Sequence, residues 1–163
     1  MEQKLYDTVT DCPVIAAIKD DAGLERCLDS DIQIVFVLYG DIVSIPEIVD
    51  RIKKKGKLAM VHADLISGLA GKEIAIDFLK RNTQADGIIS TKLSFIKRAK
   101  ELGMATVFRF FVIDSMAFDN IQKQYEACCP DFVEILPGIM PKIIAKVAKM
   151  VSAPVIAGGL IAE

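Results

Sequence analysis

The sequence predicts an α/β fold in which a parallel sheet curls into a TIM-type (β/α)8 barrel, and three observations predict it. Seven short apolar, β-branched runs recur roughly every 20–30 residues, and each but the last is followed by a longer, charged, amphipathic stretch. The runs are almost continuously apolar, which is the mark of parallel strands covered on both faces. No GxGxxG follows the first run, which weighs against an open dinucleotide-binding sheet, while a glycine pair after the seventh run suits a barrel.

In chain order the predicted strands are PVIAAIK (Pro13–Lys19), IQIVFVLYG (Ile32–Gly40), KLAMVHAD (Lys57–Asp64), ADGIIST (Ala85–Thr91), MATVFRFFV (Met104–Val112), DFVEILPG (Asp131–Gly138) and PVIAGG (Pro154–Gly159). Between them AGLERCLDS, SIPEIVDRIKKKG, GKEIAIDFLKRN, KLSFIKRAKELG, SMAFDNIQKQYEA and MPKIIAKVAKMV read as helices. Ser44 stands at an N-cap position with Pro46 in the first turn, and Gly56 marks the end. Leu93, Ile96, Ala99 and Leu102 fall on one helical face, with Gly103 at the stop. Asp114 or Ser115 offers a cap for the sixth helix. Alternation of this kind implies repeated right-handed βαβ crossovers. A closed barrel needs eight strands, so the expectation is a single domain, 1–163, that lacks a last helix-strand-helix. Unpaired edges on the first and seventh strands invite association, so the chain is expected to pair as a homodimer or to be unstable.

Composition excludes several classes. With 52% apolar and 26% charged residues and a net charge of −2, the chain is globular and not disordered. The longest apolar run, IVFVLY, is far too short to span a bilayer, and the N-terminus has no signal- or transit-peptide pattern. Cys12, Cys27, Cys128 and Cys129 contain no CxxC and read as thiols in a reducing cytoplasm. An acidic pI of 5.5 does not advertise nucleic-acid binding.

Function in a barrel of this type gathers on the loops after the strands. There the sequence places Lys19 and Asp20, Tyr39, His62 and Asp64, Ser90 and Lys92, Arg109, Glu134, Gly138, Gly158 and Gly159. These residues suit a small phosphorylated polyol. Gly158 and Gly159 offer backbone N–H groups to an anion, Arg109 and Lys19 offer positive charge, and Glu134 and Asp20 offer acceptors for hydroxyls. Arg109 and Glu134 read equally as an interior salt bridge. His62 and Asp64 stand two residues apart, on one side of a strand, as an acid–base or metal pair; a single histidine makes the metal case weak, and no metal is expected. Lys92 is either a Schiff-base lysine or a helix-start residue. Basic clusters at Lys53 and Lys54, and a stripe of Lys142, Lys146 and Lys149 at i, i+4, i+7, read first as helix-end charges.

Taken together, PVIAAIKDD, VFVLYGDI, VHADLISGLAGKEIAIDFLK, ADGIISTK, IKRAKELGMATVFRFFVIDSMA, PDFVEILPGIMPK and PVIAGGLI resemble the glycerol-uptake operon antiterminator family, from Pro13 to Ile161. The resemblance implies a cytoplasmic TIM-barrel regulator that binds glycerol 3-phosphate as effector, without a cofactor. It then binds the leader mRNA of a glycerol-metabolism operon and prevents termination, with no catalytic turnover. Members continue past VIAGGLI through a further helix, a Ser/Thr-rich strand and a short helix. Few aromatics and no Trp argue against a stacking platform for single strands, so a folded leader read by shape and phosphate fits better. Lys142, Lys146, Lys149, Lys53 and Lys54 are the candidate RNA contacts. Effector binding is expected to close the strand-end loops and shift a surface or dimer equilibrium. The alternative is a barrel enzyme, an isomerase, lyase or phosphodiesterase of a phosphorylated polyol, with His62, Asp64, Glu134 and Lys92 as its working groups.

Overall fold

The computed structural model describes residues 2–159. Seven parallel strands form one sheet in sequential order: β1 (Ile15–Ile18), β2 (Ile34–Val37), β3 (Leu58–His62), β4 (Gly87–Ser90), β5 (Ala105–Phe111), β6 (Phe132–Leu136) and β7 (Val155–Ala157). The crossovers carry α2 (Asp21–Leu28), α3 (Ile45–Lys54), α4 (Ile74–Asn82), α5 (Leu93–Glu101), α6 (Ser115–Cys128) and α7 (Pro141–Met150). Strand order equal to chain order means every crossover steps the same way, which curls the sheet into a barrel wall with β1 and β7 at its edges. All seven predicted strands are present. Leu160 and Ile161, at the end of the seventh motif, lie outside the described residues.

One helix was not expected from the sequence. Glu2–Asp11 forms α1 ahead of the first strand, and Leu5 on it is 3% exposed. Leu5 packs in an interior cluster with Ile34, Leu58 and Phe132 at the N-terminal ends of β2, β3 and β6. The helix therefore plugs the lower end of the barrel. Its signal in the sequence is only Leu5 and Val9, one turn apart among charged neighbours.

The strands separate two cores. Ile34, Phe36, Leu58, Met60, Ile89, Val107 and Phe132 face the interior, while Val35, Val37, Ala59, Val61, Ile88, Phe108 and Ile135 face the helices. β2, β3, β4 and β6 are buried at every position. The edge strands are not, and Ala17 and Ala157 on them are exposed.

Helix ends follow the local rules. Asp20 caps α2 by accepting from the Gly23 N–H at 2.7 Å, and Asp114 caps α6 by accepting from the Ala117 N–H at 2.7 Å. Ser44 stands at the N-cap of α3 as expected. It makes no side-chain cap bond; its hydroxyl accepts from the Asp41 N–H at 3.0 Å, while Asp41 accepts from the N–H groups of Val43 and Ser44. Gly103 ends α5 with φ +75°, a conformation costly for any residue with a Cβ.

Buried polar contacts brace the lower end. Asp86 accepts the Ala59 N–H at 2.8 Å and both its oxygens take the Lys53 ammonium, at 3.0 and 2.8 Å. Asp131 does the same for β5, accepting from the Thr106 N–H and hydroxyl. Lys57, 4% exposed, places its ammonium on the carbonyls of Ser30 and Ile32. All four cysteines are free thiols; Cys27 and Cys128 are buried and Cys129 is exposed.

Candidate functional site

Side chains alternate along a strand, so the interior face can be followed upward. On β3, Leu58 and Met60 lead to His62; on β5, Ala105 and Val107 lead to Arg109; on β6, Phe132 leads to Glu134. An apolar lower interior thus gives way to a polar upper layer at the C-terminal ends of the strands.

Arg109 and Glu134 are register partners on neighbouring strands. Arg109 Nε donates to Glu134 Oε1 at 2.5 Å, and Nη2 reaches Oε2 at 3.5 Å. Their side chains are 10% and 3% exposed. Burial pushes the Glu134 carboxyl up and the Arg109 guanidinium pulls it back, with burial dominant. Gly158 makes room for this carboxylate: a Cβ there would stand 2.8 Å from Glu134 Cδ. His62, 2% exposed, completes the layer. Among the described residues its Nδ1 has no hydrogen-bond partner. Burial first, and then the Arg109 charge, lower its pKa to about 4, against a pull upward from Asp64, so the ring is neutral at pH 7.

The structure divides the residues named from the sequence into three groups. His62, Arg109, Glu134 and Gly158 come together, and Lys19 stands exposed just past β1. A second group lies on the rim. His62 and Asp64 do not share a strand face, because the chain leaves β3 at His62 into a single 3₁₀ turn, Ala63–Leu65. Asp64 instead accepts from the Ser90 hydroxyl at 2.6 Å, the Thr91 N–H at 2.9 Å and the Thr91 hydroxyl at 2.7 Å. Burial raises its pKa, but these hydrogen bonds outweigh that and hold it below the usual range. Ser90 also accepts the Lys92 N–H at 3.0 Å. Lys92 is exposed, with its ammonium 4.7 Å from the Phe95 ring centre.

The third group serves other purposes. Tyr39 packs on the helix side of the sheet, one position past interior-facing Leu38, and its hydroxyl donates to Asp21 at 2.8 Å. It lines a cleft of about 520 Å³ between α2 and α3 with Glu25 and Arg51. Asp20 is spent as the α2 cap. The Gly158 N–H donates to the Ile135 carbonyl at 3.0 Å and the Gly138 N–H to the Gly159 carbonyl at 3.2 Å, so neither is free for an anion. Another cleft, about 460 Å³, lies at the far end of the barrel, lined by Tyr6, Lys100 and Tyr125 among others. Buried charged and titratable groups lie in the polar layer and, among the described residues, not in either cleft, and such groups mark functional sites.

Of the candidate RNA contacts, Lys142, Lys146 and Lys149 are exposed along α7. Lys53 is not a free cation, being held by Asp86, and Lys54 pairs with Asp50 at 2.8 Å. Thr91 was not among the residues the sequence singled out for binding. Its only signal was its place after β4. Among the described residues no group of three or more His, Cys, Asp or Glu is arranged to hold a metal ion. No described helix is long and apolar enough to cross a membrane.

Fold and site together define a TIM-type barrel protein with a buried polar layer at the strand ends. Residues 14–163 match the family of glycerol-3-phosphate responsive antiterminators, and the chain belongs to that family. It is 49% identical over 151 residues to YgcP of Escherichia coli (strain K12), an uncharacterized protein, spanning 93% of this chain and 79% of that one. The crystal structure of a glycerol uptake operon antiterminator regulatory protein from Listeria monocytogenes superposes with a TM-score of 0.88 at 36% identity, over 91% of this chain and 80% of that one. A glycerol uptake operon antiterminator-related protein from Thermotoga maritima gives 0.79 at 35%, over 91% and 83%. Orotidine 5'-monophosphate decarboxylase from Methanocaldococcus jannaschii shares the fold alone, with a TM-score of 0.64 at 20% identity over 89% and 79%.

Proposed function

We propose that this chain is a cytoplasmic, glycerol-3-phosphate-responsive antiterminator that binds its effector at the polar end of the barrel and then the leader mRNA of a glycerol-metabolism operon. The observation that carries the reading is Arg109, a guanidinium only 10% exposed at the strand-end face, in a chain that belongs to this family. Arg109 and Lys19 meet the phosphate. Glu134 and the neutral His62 meet the hydroxyls.

Most groups that an enzyme would use are already engaged, with His62, whose Nδ1 has no partner among the described residues, the exception. Asp64 accepts three hydrogen bonds, Glu134 is paired with Arg109, and Lys92 sits over an aromatic ring. That arrangement supports a sensor that binds without turnover. The RNA is met by the α7 stripe of Lys142, Lys146 and Lys149, with Lys53 and Lys54 reassigned to ion pairs within the fold.

Filter binding of the leader RNA at fixed salt, with and without glycerol 3-phosphate, tests the reading. Tighter binding with effector supports it, and equal binding sinks it. Steady conversion of glycerol 3-phosphate to any product would replace it with the enzyme reading.

A further inference from the structure

Resting on that reading, we propose that glycerol 3-phosphate takes Arg109 over from Glu134, and that the Glu134 carboxylate takes up one proton from solvent as it does so. No covalent bond forms or breaks within either molecule's skeleton; the effector's phosphate replaces a carboxylate on the guanidinium.

Three observations carry this. The guanidinium that would hold the phosphate is already occupied, by Glu134 at 2.5 Å. Glu134 is 3% exposed, and the barrel wall stands against it at Gly158, where even a Cβ would lie 2.8 Å from the carboxyl carbon. The carboxylate thus stays largely out of water when its partner leaves. A buried carboxylate facing a phosphate dianion cannot stay ionised at small cost, because burial and a like charge act in the same direction. Burial already dominates its environment with Arg109 in place.

The charged and titratable groups at this end of the interior, among the described residues, are Arg109 on β5, Glu134 on β6, His62 on β3, Asp64 just beyond β3 and Lys19 just beyond β1; Ile89 on β4 and Ile156 on β7 contribute none. Asp64 is satisfied by Ser90 and Thr91, and His62 is neutral. Lys19, Arg109, Glu134 and the ionised Asp64 sum to zero. A phosphate dianion takes that to two negative charges, and one proton on Glu134 leaves one.

Calorimetric titration of the whole chain with glycerol 3-phosphate at pH 8, in two buffers of different ionisation enthalpy, reads the proton directly. That pH lies well above the phosphate's own second ionisation near ~6. The expected result is uptake of about one proton per effector, with affinity weakening about tenfold per pH unit between about pH 7.5 and 8.5. Glu134→Gln is expected to abolish both the uptake and the pH dependence, and His62→Gln, whatever it does to affinity, to leave about one proton taken up per effector bound. Binding by the wild type without proton uptake overturns the inference and leaves the effector reading standing; so does uptake that survives in Glu134→Gln. If Glu134→Gln does not fold, His62→Gln decides the matter, since uptake lost with His62 overturns the inference and uptake per bound effector retained supports it. Absence of any binding by the wild type overturns both.

Discussion

Arg109 and Glu134 are paired in register on β5 and β6 and joined by a 2.5 Å hydrogen bond, with both side chains almost wholly out of water. A buried ion pair is expensive to break from one side, because the remaining charge has neither water nor a partner. Arg109→Met is expected to destabilise the chain by about 3–5 kcal/mol, and Arg109→Met with Glu134→Leu together by much less. Urea denaturation of the two variants checks this. Additive losses would mean that the pair is not energetically coupled.

Gly158 supports the same pair from β7. Its alanine variant places a methyl 2.8 Å from Glu134 Cδ and 3.1 Å from Oε1. The expected cost is about 1–3 kcal/mol of overpacking, accompanied by weaker binding of glycerol 3-phosphate. Thermal melting and effector titration of Gly158→Ala test the two parts separately.

His62 makes stability depend on pH in a defined window. Its pKa is lowered to about 4 in the folded chain, against about 6.5 unfolded. The unfolded chain therefore binds the extra proton first, and stability falls as pH drops through that interval. The loss from this residue approaches about 3 kcal/mol near pH 4. Asp64, whose folded pKa is depressed, gives way only at lower pH, so the two effects separate. Urea titrations at pH 7 and pH 4.5 are expected to differ less in His62→Gln than in the wild type.

Asp64 ties the turn after β3 to the start of the segment after β4 through Ser90 and Thr91. Asp64→Ala leaves the Ser90 hydroxyl, on a residue 0% exposed, without its acceptor. The cost is about 1–3 kcal/mol. Amide exchange at Thr91 and Lys92 is expected to accelerate; unchanged protection there would show that the loop is held by packing alone.

The lysines separate into two kinds. Charge reversal at Lys142, Lys146 and Lys149 is expected to weaken leader RNA binding and to reduce the salt slope by roughly 0.7–0.9 for each phosphate no longer neutralised. Lys53→Met is expected to lower stability, since it strands the Asp86 carboxylate, and to leave the salt slope unchanged. The reverse pattern would move the RNA interface to the C-terminal end of α3.

The run of strands and helices was legible because each βα unit repeats an apolar β-branched run followed by an amphipathic helix, with side-chain caps at α2 and α6 and glycine stops after α3 and α5. α1 was not, since Leu5 and Val9 become a core face only where an open barrel end receives them. The ordered motifs also pointed to the family. What the sequence could not assign was the side on which each strand-end residue lies. Strands buried on both faces carry no apolar–polar alternation, and β2, β3, β4 and β6 are buried throughout. Tyr39 and His62 therefore look alike along the chain. Only the register of the curled sheet sends Tyr39 out to Asp21 and His62 inward beside Arg109. Lys53 and Lys142 look alike for the same reason, until the folded barrel brings Asp86 to one of them. The sequence by itself determined the elements and their order; tertiary packing decided which charges are spent on the fold and which are left to bind.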